Sequence, residues 1–283
     1  EQAKEFLDQR PADKPFYLWV NFSDPHHPWT PPADLRPDPA KIEVPGWLPD
    51  LPGVREQLAD YCGEVNRVDR TVGAVLDLLE ARGLADNTIV VLAGDNGLAF
   101  PKGKGSLYDP GTNTPLIVRW PGVVKPGGDF GALLSGEDLA PTLLAAAGLE
   151  VPKRITGTSF LPILRGEATT VRQYVFTERG PHGSAPVSAT MRSSGYDLSR
   201  AVRSERYKFI YNCTPWIPYS PVDSSFQAIT EAHQAGKLAP EFEAAWFTTP
   251  RPVYELYDLQ ADPNEQQNLS GKPPLAKVEQ ELR

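Results

Sequence analysis

Hydrophobic and polar positions in the first half of the chain predict alternating strands and helices. Residues 16–22 form a short apolar run that ends at a proline-rich stretch, which predicts a buried strand. Leucine and valine recur at three- and four-residue steps across residues 54–82, so this segment is expected to be a long helix. Residues 88–93 are a continuous, largely β-branched run, as is typical of a parallel strand covered on both faces. Residues 115–120 and 136–147 predict a further strand and a further helix.

The order of these elements is that of an α/β fold with a mostly parallel sheet and flanking helices. We expect residues 16–22 and 88–93 to be neighbouring strands of that sheet. The pattern changes after about residue 166, where short strands separated by turns predict a smaller C-terminal antiparallel sheet. These strands are expected at residues 175–178, 200–203, 207–211 and 254–258. We interpret residues 1–166 as part of an α/β domain and residues 167–283 as a C-terminal subdomain.

Composition limits the classes of function. The 283 residues carry a formal net charge of −8, which disfavours a nucleic-acid partner. The chain has no apolar run near the length of about 20 residues that spans a bilayer, so no membrane segment is predicted. Cys62 and Cys213 are far apart and match no zinc or redox spacing.

Asp95 and Asn96 follow the strand predicted at residues 88–93. Ligands of open α/β sheets bind beyond the carboxyl ends of strands, and a carboxylate with an amide suits Ca²⁺ or Mg²⁺. Gly97 would let the backbone turn sharply. Taken alone, the same tripeptide is also a common turn signal.

Two further sites carry candidate chemistry. Lys104 lies between two glycines and would offer a point charge to an oxyanion, whereas Lys102 is expected to be a solvated surface lysine. His26 follows the strand predicted at residues 16–22 and would act as a general acid or bind an anion. The alternative is that His26 and its neighbour His27 only cap backbone groups in a loop.

These segments resemble motifs of the sulfatase family within the alkaline-phosphatase superfamily. Four motifs occur in the family's order: a histidine motif, a helix motif, a strand ending in Asp-Asn-Gly, and a C-terminal Glu-Leu-Tyr-Asp motif. They lie at residues 21–29, 61–69, 90–97 and 255–269. Within the family, residues 100–101, 107–108 and 221–227 resemble the N-sulfoglucosamine sulfohydrolases, although those enzymes have arginine where Lys104 stands. The resemblance implies an alkaline-phosphatase-like fold.

The resemblance also implies a function and roles for single residues. The chain is expected to belong to a hydrolase of sulfuric esters or N-sulfates that acts on a small-molecule or oligosaccharide sulfate. Asp95 and Asn96 would be ligands of one Ca²⁺ ion, and Lys104 would neutralise a sulfate oxygen. His26 would hold the sulfate or protonate the departing atom. His182 would line the substrate end of the cleft, and the alternative is that it lies in a plain surface turn. The resemblance further implies a periplasmic, secreted or lysosome-like location.

The nucleophile of the family is missing from the sequence. Sulfatases attack sulfur with a formylglycine made from cysteine or serine in Cys/Ser-X-Pro-X-Arg, and a preceding Asp-Asp pair completes their metal site. Neither Cys62 nor Cys213 has that context. We therefore expect an N-terminally truncated chain that is inactive by itself and takes its remaining metal ligands from a preceding segment.

The sequence leaves two alternative functions open. One is a phosphoesterase of the same superfamily, although such enzymes commonly place a second histidine beside the aspartate where Asn96 stands. The other is a noncatalytic domain that binds sulfated glycans, which the missing nucleophile favours for this polypeptide.

Overall fold

A computed structural model of the chain describes residues 1–180, 197–219, 222 and 227–283. The longest helix is α2, which begins at Val54 and ends at Glu80, close to the predicted bounds. None of the helices in this part of the chain combines the length and the apolar character needed to cross a bilayer. The helices are α1 (Gln2–Gln9), α2 (Val54–Glu80), α3 (Asp109–Thr112), α4 (Leu139–Ala146), α5 (Leu161–Leu164), α6 (Gln227–Gln234), α7 (Pro240–Phe247) and α8 (Ala276–Leu282), with 3-10 turns at Pro39–Lys41, Ala85–Asn87, Gly136–Asp138 and Pro273–Leu275.

The first sheet has two strands, β1 (Val90–Ala93) and β2 (Leu116–Arg119). They pair antiparallel, with Val90 opposite Arg119 and Ala93 opposite Leu116. One side of this pair packs against α4 and α5 through an apolar cluster centred on Phe160, Ile163 and Leu164. Both strands were predicted, but their antiparallel pairing was not.

The expectation that residues 16–22 form a buried strand beside β1 is wrong. The structure gives these residues no strand, and Tyr17 and Trp19 are 66% and 70% exposed. A strand needs a neighbour for its backbone hydrogen bonds, and apolar composition alone does not supply one. Within the described residues β1 pairs with β2 instead, and every strand pair there is antiparallel.

The second sheet confirms the predicted C-terminal antiparallel sheet. Its strands are β3 (Val175–Arg179), β4 (Ser199–Arg203), β5 (Tyr207–Asn212) and β6 (Tyr254–Asp258), paired in that order. One face packs against α8 through Val202, Phe209, Leu256 and Leu282. The other face contacts Leu107, which precedes α3.

A further core cluster joins the two halves of the chain. Trp47, Leu58 and Phe100 from the first half pack with Ile229 of α6 and Trp246 of α7. Because apolar side chains from both sides of residue 166 are removed from water together, this cluster couples the stability of the two regions.

Candidate functional site

Asp95 and Asn96 lie immediately beyond the end of β1, and both are exposed. The amide nitrogen of Asn96 donates to the carbonyl oxygen of Gly97 at 2.8 Å. With Nδ2 committed to this bond, Oδ1 is the atom of the amide that would bind a cation. The strand end therefore offers a carboxylate and an amide oxygen to the solvent.

Gly97 is required by a close approach of the backbone. A Cβ atom at this position would lie 2.0 Å from the carbonyl oxygen of Pro110 and 2.6 Å from Cα of Gly111. The amide of Gly97 also donates to the carbonyl oxygen of Gly111 at 3.2 Å. The turn that carries Asp95 and Asn96 is thus packed directly on α3.

Lys104 belongs to a compact loop that we call the lysine loop, residues 98–111. The backbone amide of Lys104 donates to the carbonyl oxygen of Leu98 at 2.8 Å, and the amide of Gly103 donates to the carbonyl oxygen of Phe100 at 2.8 Å. Lys104 itself is half-buried. Lys102 is only 1% exposed, so the interpretation of Lys102 as a solvated surface lysine is wrong.

His26 lies in an exposed turn after residues 16–22. Its backbone amide donates to Ser23 at 2.9 Å, and its ring Nδ1 lies 2.7 Å from the carbonyl oxygen of His27. Because a carbonyl oxygen only accepts, Nδ1 carries a proton in this contact. Nε2 is then the basic nitrogen of the neutral ring.

The histidine turn is anchored to α2 by charged side chains. Arg67 donates to both carboxylate oxygens of Asp24, at 2.6 and 2.7 Å. This bidentate bond lowers the pKa of Asp24 below its ordinary value. The buried carboxylate of Glu64 accepts from the amide of Thr30 at 2.6 Å. The helix motif around Tyr61 therefore holds the histidine turn on both sides of His26.

An aromatic contact joins the histidine turn to the lysine loop. The rings of Trp29 and Phe100 are stacked, with centroids 5.0 Å apart and an interplanar angle of 14°. Tyr61 of α2 meets both rings edge-on, at 5.6 and 5.7 Å. Sequence reasoning gave Trp29 and Phe100 no function of their own, although both lie within four residues of a candidate site residue. The convergence of the Asp95, Asn96, His26 and Lys104 side chains on one cleft stays a prediction.

A hard cation would find only part of its ligands here. Asp95 and Asn96 supply two oxygen-bearing side chains, whereas Ca²⁺ takes about 6–8 oxygen ligands. Within the described residues no group of three or more His, Cys, Asp or Glu side chains is placed to hold a metal ion. The donor chemistry thus suits Ca²⁺ without completing its shell. His182, the other predicted substrate residue, lies outside the described residues.

Comparison with protein-family models gives two matches. Residues 1–149 match the model described as sulfatase. Residues 102–216 match the model described as the C-terminal region of N-sulphoglucosamine sulphohydrolase.

Curated relatives cover nearly the whole chain but extend well beyond it. The chain is 31% identical to N-sulphoglucosamine sulphohydrolase from Homo sapiens, over 99% of the chain and 61% of that protein. It is 32% identical to an ulvan-active sulfatase from Formosa agariphila, over 94% of the chain and 44% of that protein. The chain therefore spans about half the length of the curated relatives that it matches.

Solved structures agree with these matches. One, determined with its substrate D-glucosamine-2-N,6-O-disulfate, has a TM-score of 0.59 and 28% identity, covering 82% of this chain and 41% of that chain. A phosphonate monoester hydrolase from Silicibacter pomeroyi has a TM-score of 0.71 and 24% identity, covering 99% and 57%. These likenesses confirm the predicted alkaline-phosphatase-like α/β fold class. Because the sulfatase model matches more than half of the residues of this chain, the chain belongs to the sulfatase family.

Proposed function

We propose that the protein containing this chain hydrolyses sulfate esters or N-sulfates of carbohydrates, and that the chain contributes Asp95, Asn96, Lys104 and His26 to its active site. The observation that carries the proposal is the stacking of Trp29 on Phe100. Through this contact, the turn that carries His26 meets the loop that carries Lys104, in a chain of the sulfatase family.

The proposed roles follow from the chemistry of each group. Asp95 and Asn96 would hold Ca²⁺, which when bound supplies Lewis-acid stabilisation of the sulfate oxygens. The amine of Lys104 would neutralise a further sulfate oxygen. His26 would hold the sulfate through Nε2 or, when protonated, give that proton to the departing oxygen or nitrogen.

We further propose that the nucleophile lies outside these 283 residues. No cysteine or serine of the sequence stands in a Cys/Ser-X-Pro-X-Arg context. The formylglycine and the remaining acidic ligands would then come from another part of the protein. On this proposal the 283-residue chain alone is inactive and binds calcium weakly, because a half-filled shell leaves most of the ion's ligands to water.

The proposed substrate class is a sulfated amino sugar. Support comes from the match of residues 102–216 to the N-sulphoglucosamine sulphohydrolase model and from the 31% identity with the human enzyme of that name. The structural relative bound to a glucosamine disulfate adds to it. A periplasmic, secreted or lysosome-like location is part of the same proposal.

The test compares the 283-residue chain with the product of the complete reading frame that contains it. Each is assayed with a chromogenic aryl sulfate and with N-sulfated glucosamine, after EDTA treatment and after calcium is restored. We expect calcium-dependent turnover from the longer protein alone. Turnover should fall about 100-fold or more in Asp95→Ala and Lys104→Ala, since one preorganised electrostatic contact contributes a factor of about this size. Lys125→Ala, which alters an exposed lysine, is the matched control.

Three results would contradict parts of this proposal. Turnover of a phosphonate or phosphodiester without sulfatase activity would assign the site to the phosphoesterases. Sulfated-glycan binding by the longer protein without turnover would favour the noncatalytic domain. Turnover by the 283-residue chain itself, with micromolar calcium affinity, would show that this chain contains a nucleophile.

A further inference from the structure

Lys102 is a buried lysine that bonds to backbone carbonyl groups. It is 1% exposed, and its Nζ donates to the carbonyl oxygens of Asn264 and Glu265 at 3.0 and 2.5 Å. The same amine lies 4.6 Å above the centre of the Tyr108 ring. Lys102 therefore ties the lysine loop to the turn that follows β6.

Glu265 ties the same turn to α3. Its side chain is fully buried, and its carboxylate accepts from the amide of Asp109 at 2.6 Å. It also pairs with Nζ of Lys208 at 2.8 Å, and Lys208 in turn contacts the carboxylate of Asp109 at 2.5 Å. The residue thus uses its backbone carbonyl for Lys102 and its side chain for Asp109 and Lys208.

Further side chains from the C-terminal region hold the loop between these two points. Arg179 at the end of β3 donates to the carbonyl oxygen of Gly105 at 2.5 Å. The hydroxyl of Tyr219 accepts from the amide of Lys102 at 2.7 Å, and Tyr108 donates to Glu255 at 2.8 Å. Each bond ends on a residue within four positions of Lys104.

This arrangement is costly for a role in stability alone. Burial lowers the pKa of Lys102 to about 8, even though the Glu265 and Glu255 carboxylates oppose that change. Both Lys102 and Glu265 also adopt left-handed backbone conformations, with φ of 64° and 53°, which non-glycine residues rarely occupy. Apolar side chains of similar volume often give equal or greater stability in place of buried charges. The network is therefore better explained by the geometry that it imposes.

We propose that Lys102 and Glu265 are positioning residues, which fix Lys104 and α3 relative to Asp95 and Asn96. Lys102 holds the part of the loop that bears Lys104. Glu265 holds Asp109, and the adjoining residues Pro110 and Gly111 pack on Gly97. Through these contacts the C-terminal region sets the spacing between the anion-binding lysine and the candidate metal ligands. Only the use of that spacing in catalysis depends on the proposed function.

The test measures local hydrogen exchange in the 283-residue chain. In Lys102→Met, which keeps an unbranched side chain one atom shorter and without the charge, the amides of residues 97–111 should exchange at least 10-fold faster than in the wild type. The amides of β5 should keep their protection within about threefold, because the substitution removes only the two bonds that Nζ of Lys102 makes and adds no polar group to the core. The matched control is Asp138→Asn, because Asp138 is equally buried and binds Ser135, Thr158 and Arg172. In this control, exchange across residues 97–111 should change no more than exchange in β5.

Two further variants keep the test decisive. Glu265→Gln retains the backbone carbonyl and an acceptor oxygen for the Asp109 amide. The amides of residues 97–111 in this variant should therefore exchange less than threefold faster than in the wild type. Ser106→Ala removes the hydroxyl that donates to the Lys102 carbonyl oxygen, and it replaces Lys102→Met if that variant does not fold. In Lys102→Met, or in Ser106→Ala where it takes that place, a uniform rise in exchange across the chain or an unchanged loop would overturn the proposal.

In the longer protein, Lys102→Met should lower kcat at least 10-fold and change KM by less than threefold. A protein without sulfatase activity would contradict the proposed function, while the exchange result would still decide the positioning role.

Discussion

Phe100 shows how one side chain joins the two segments that carry His26 and Lys104. Its ring is fully buried between Trp29 and Tyr61, and it belongs to the core cluster that also contains Trp246. A hydrophobic residue four positions before Lys104 is easily attributed to packing from sequence. The stacking on Trp29 additionally sets where the histidine turn lies.

We therefore expect Phe100→Ala to destabilise the chain strongly. Loss of a buried aromatic ring leaves a cavity, and such changes lower the free energy of unfolding by about 3–5 kcal/mol. Urea unfolding followed by circular dichroism measures this difference. Phe176→Ala is the control, because Phe176 is 75% exposed and its removal should change stability by no more than about 0.5 kcal/mol. A cost below about 1 kcal/mol for Phe100→Ala would contradict the burial of this ring.

The secondary-structure elements differ in how well their sequences predict them. Helix α2 and strands β3 to β6 were predicted because their periodicity matches the pairing or packing that they find within the chain. Residues 16–22 were predicted wrongly, since their apolar character identifies no strand partner. The burial of Lys102 was also not predicted from the sequence. Its burial depends on carbonyl groups more than 160 positions away, which no local pattern reveals.

Lys102 should make the free energy of unfolding of the chain depend on pH. The pKa of Lys102 falls from 10.5 to about 8 because burial disfavours the charged amine. Between these pH values the unfolded chain binds a proton that the folded chain has released, so stability gains from this group as the pH rises. The free energy of unfolding of the wild type should therefore rise relative to Lys102→Met by about 2 kcal/mol between pH 7.5 and pH 10.

Urea unfolding of both proteins at the two pH values measures this difference. The contributions of groups that titrate alike in both proteins cancel when the two free energies are subtracted. A difference that stays constant with pH would mean that Lys102 keeps an ordinary pKa in the folded chain.

At the scale of the whole molecule, the two predicted regions are joined by both apolar and polar contacts. The core cluster places Trp47 and Phe100 against Ile229 and Trp246, and Lys102 reaches Glu265. The division at residue 166 followed from a change in strand pattern, and it remains a prediction. The contacts across it could not be read from sequence, because they depend on tertiary packing between distant segments.

These contacts predict that the chain unfolds in one cooperative transition. Tryptophan fluorescence and far-ultraviolet circular dichroism should give the same urea midpoint, since neither region keeps its core when the other unfolds. Ile229→Ala should lower that midpoint and keep the two probes coincident. Two separate transitions would instead show that residues 1–166 and 167–283 fold independently.

The close contact at Gly97 places unlike selective constraints on three successive residues. Asp95 and Asn96 are exposed, so the fold itself tolerates replacement of either side chain. Gly97 has no such tolerance, because any Cβ atom would collide with the backbone of α3. On the proposed function, a descendant that lost sulfate chemistry and kept the fold would accumulate changes at the first two positions while retaining the glycine. In such a descendant, the glycine after this strand would remain for packing alone.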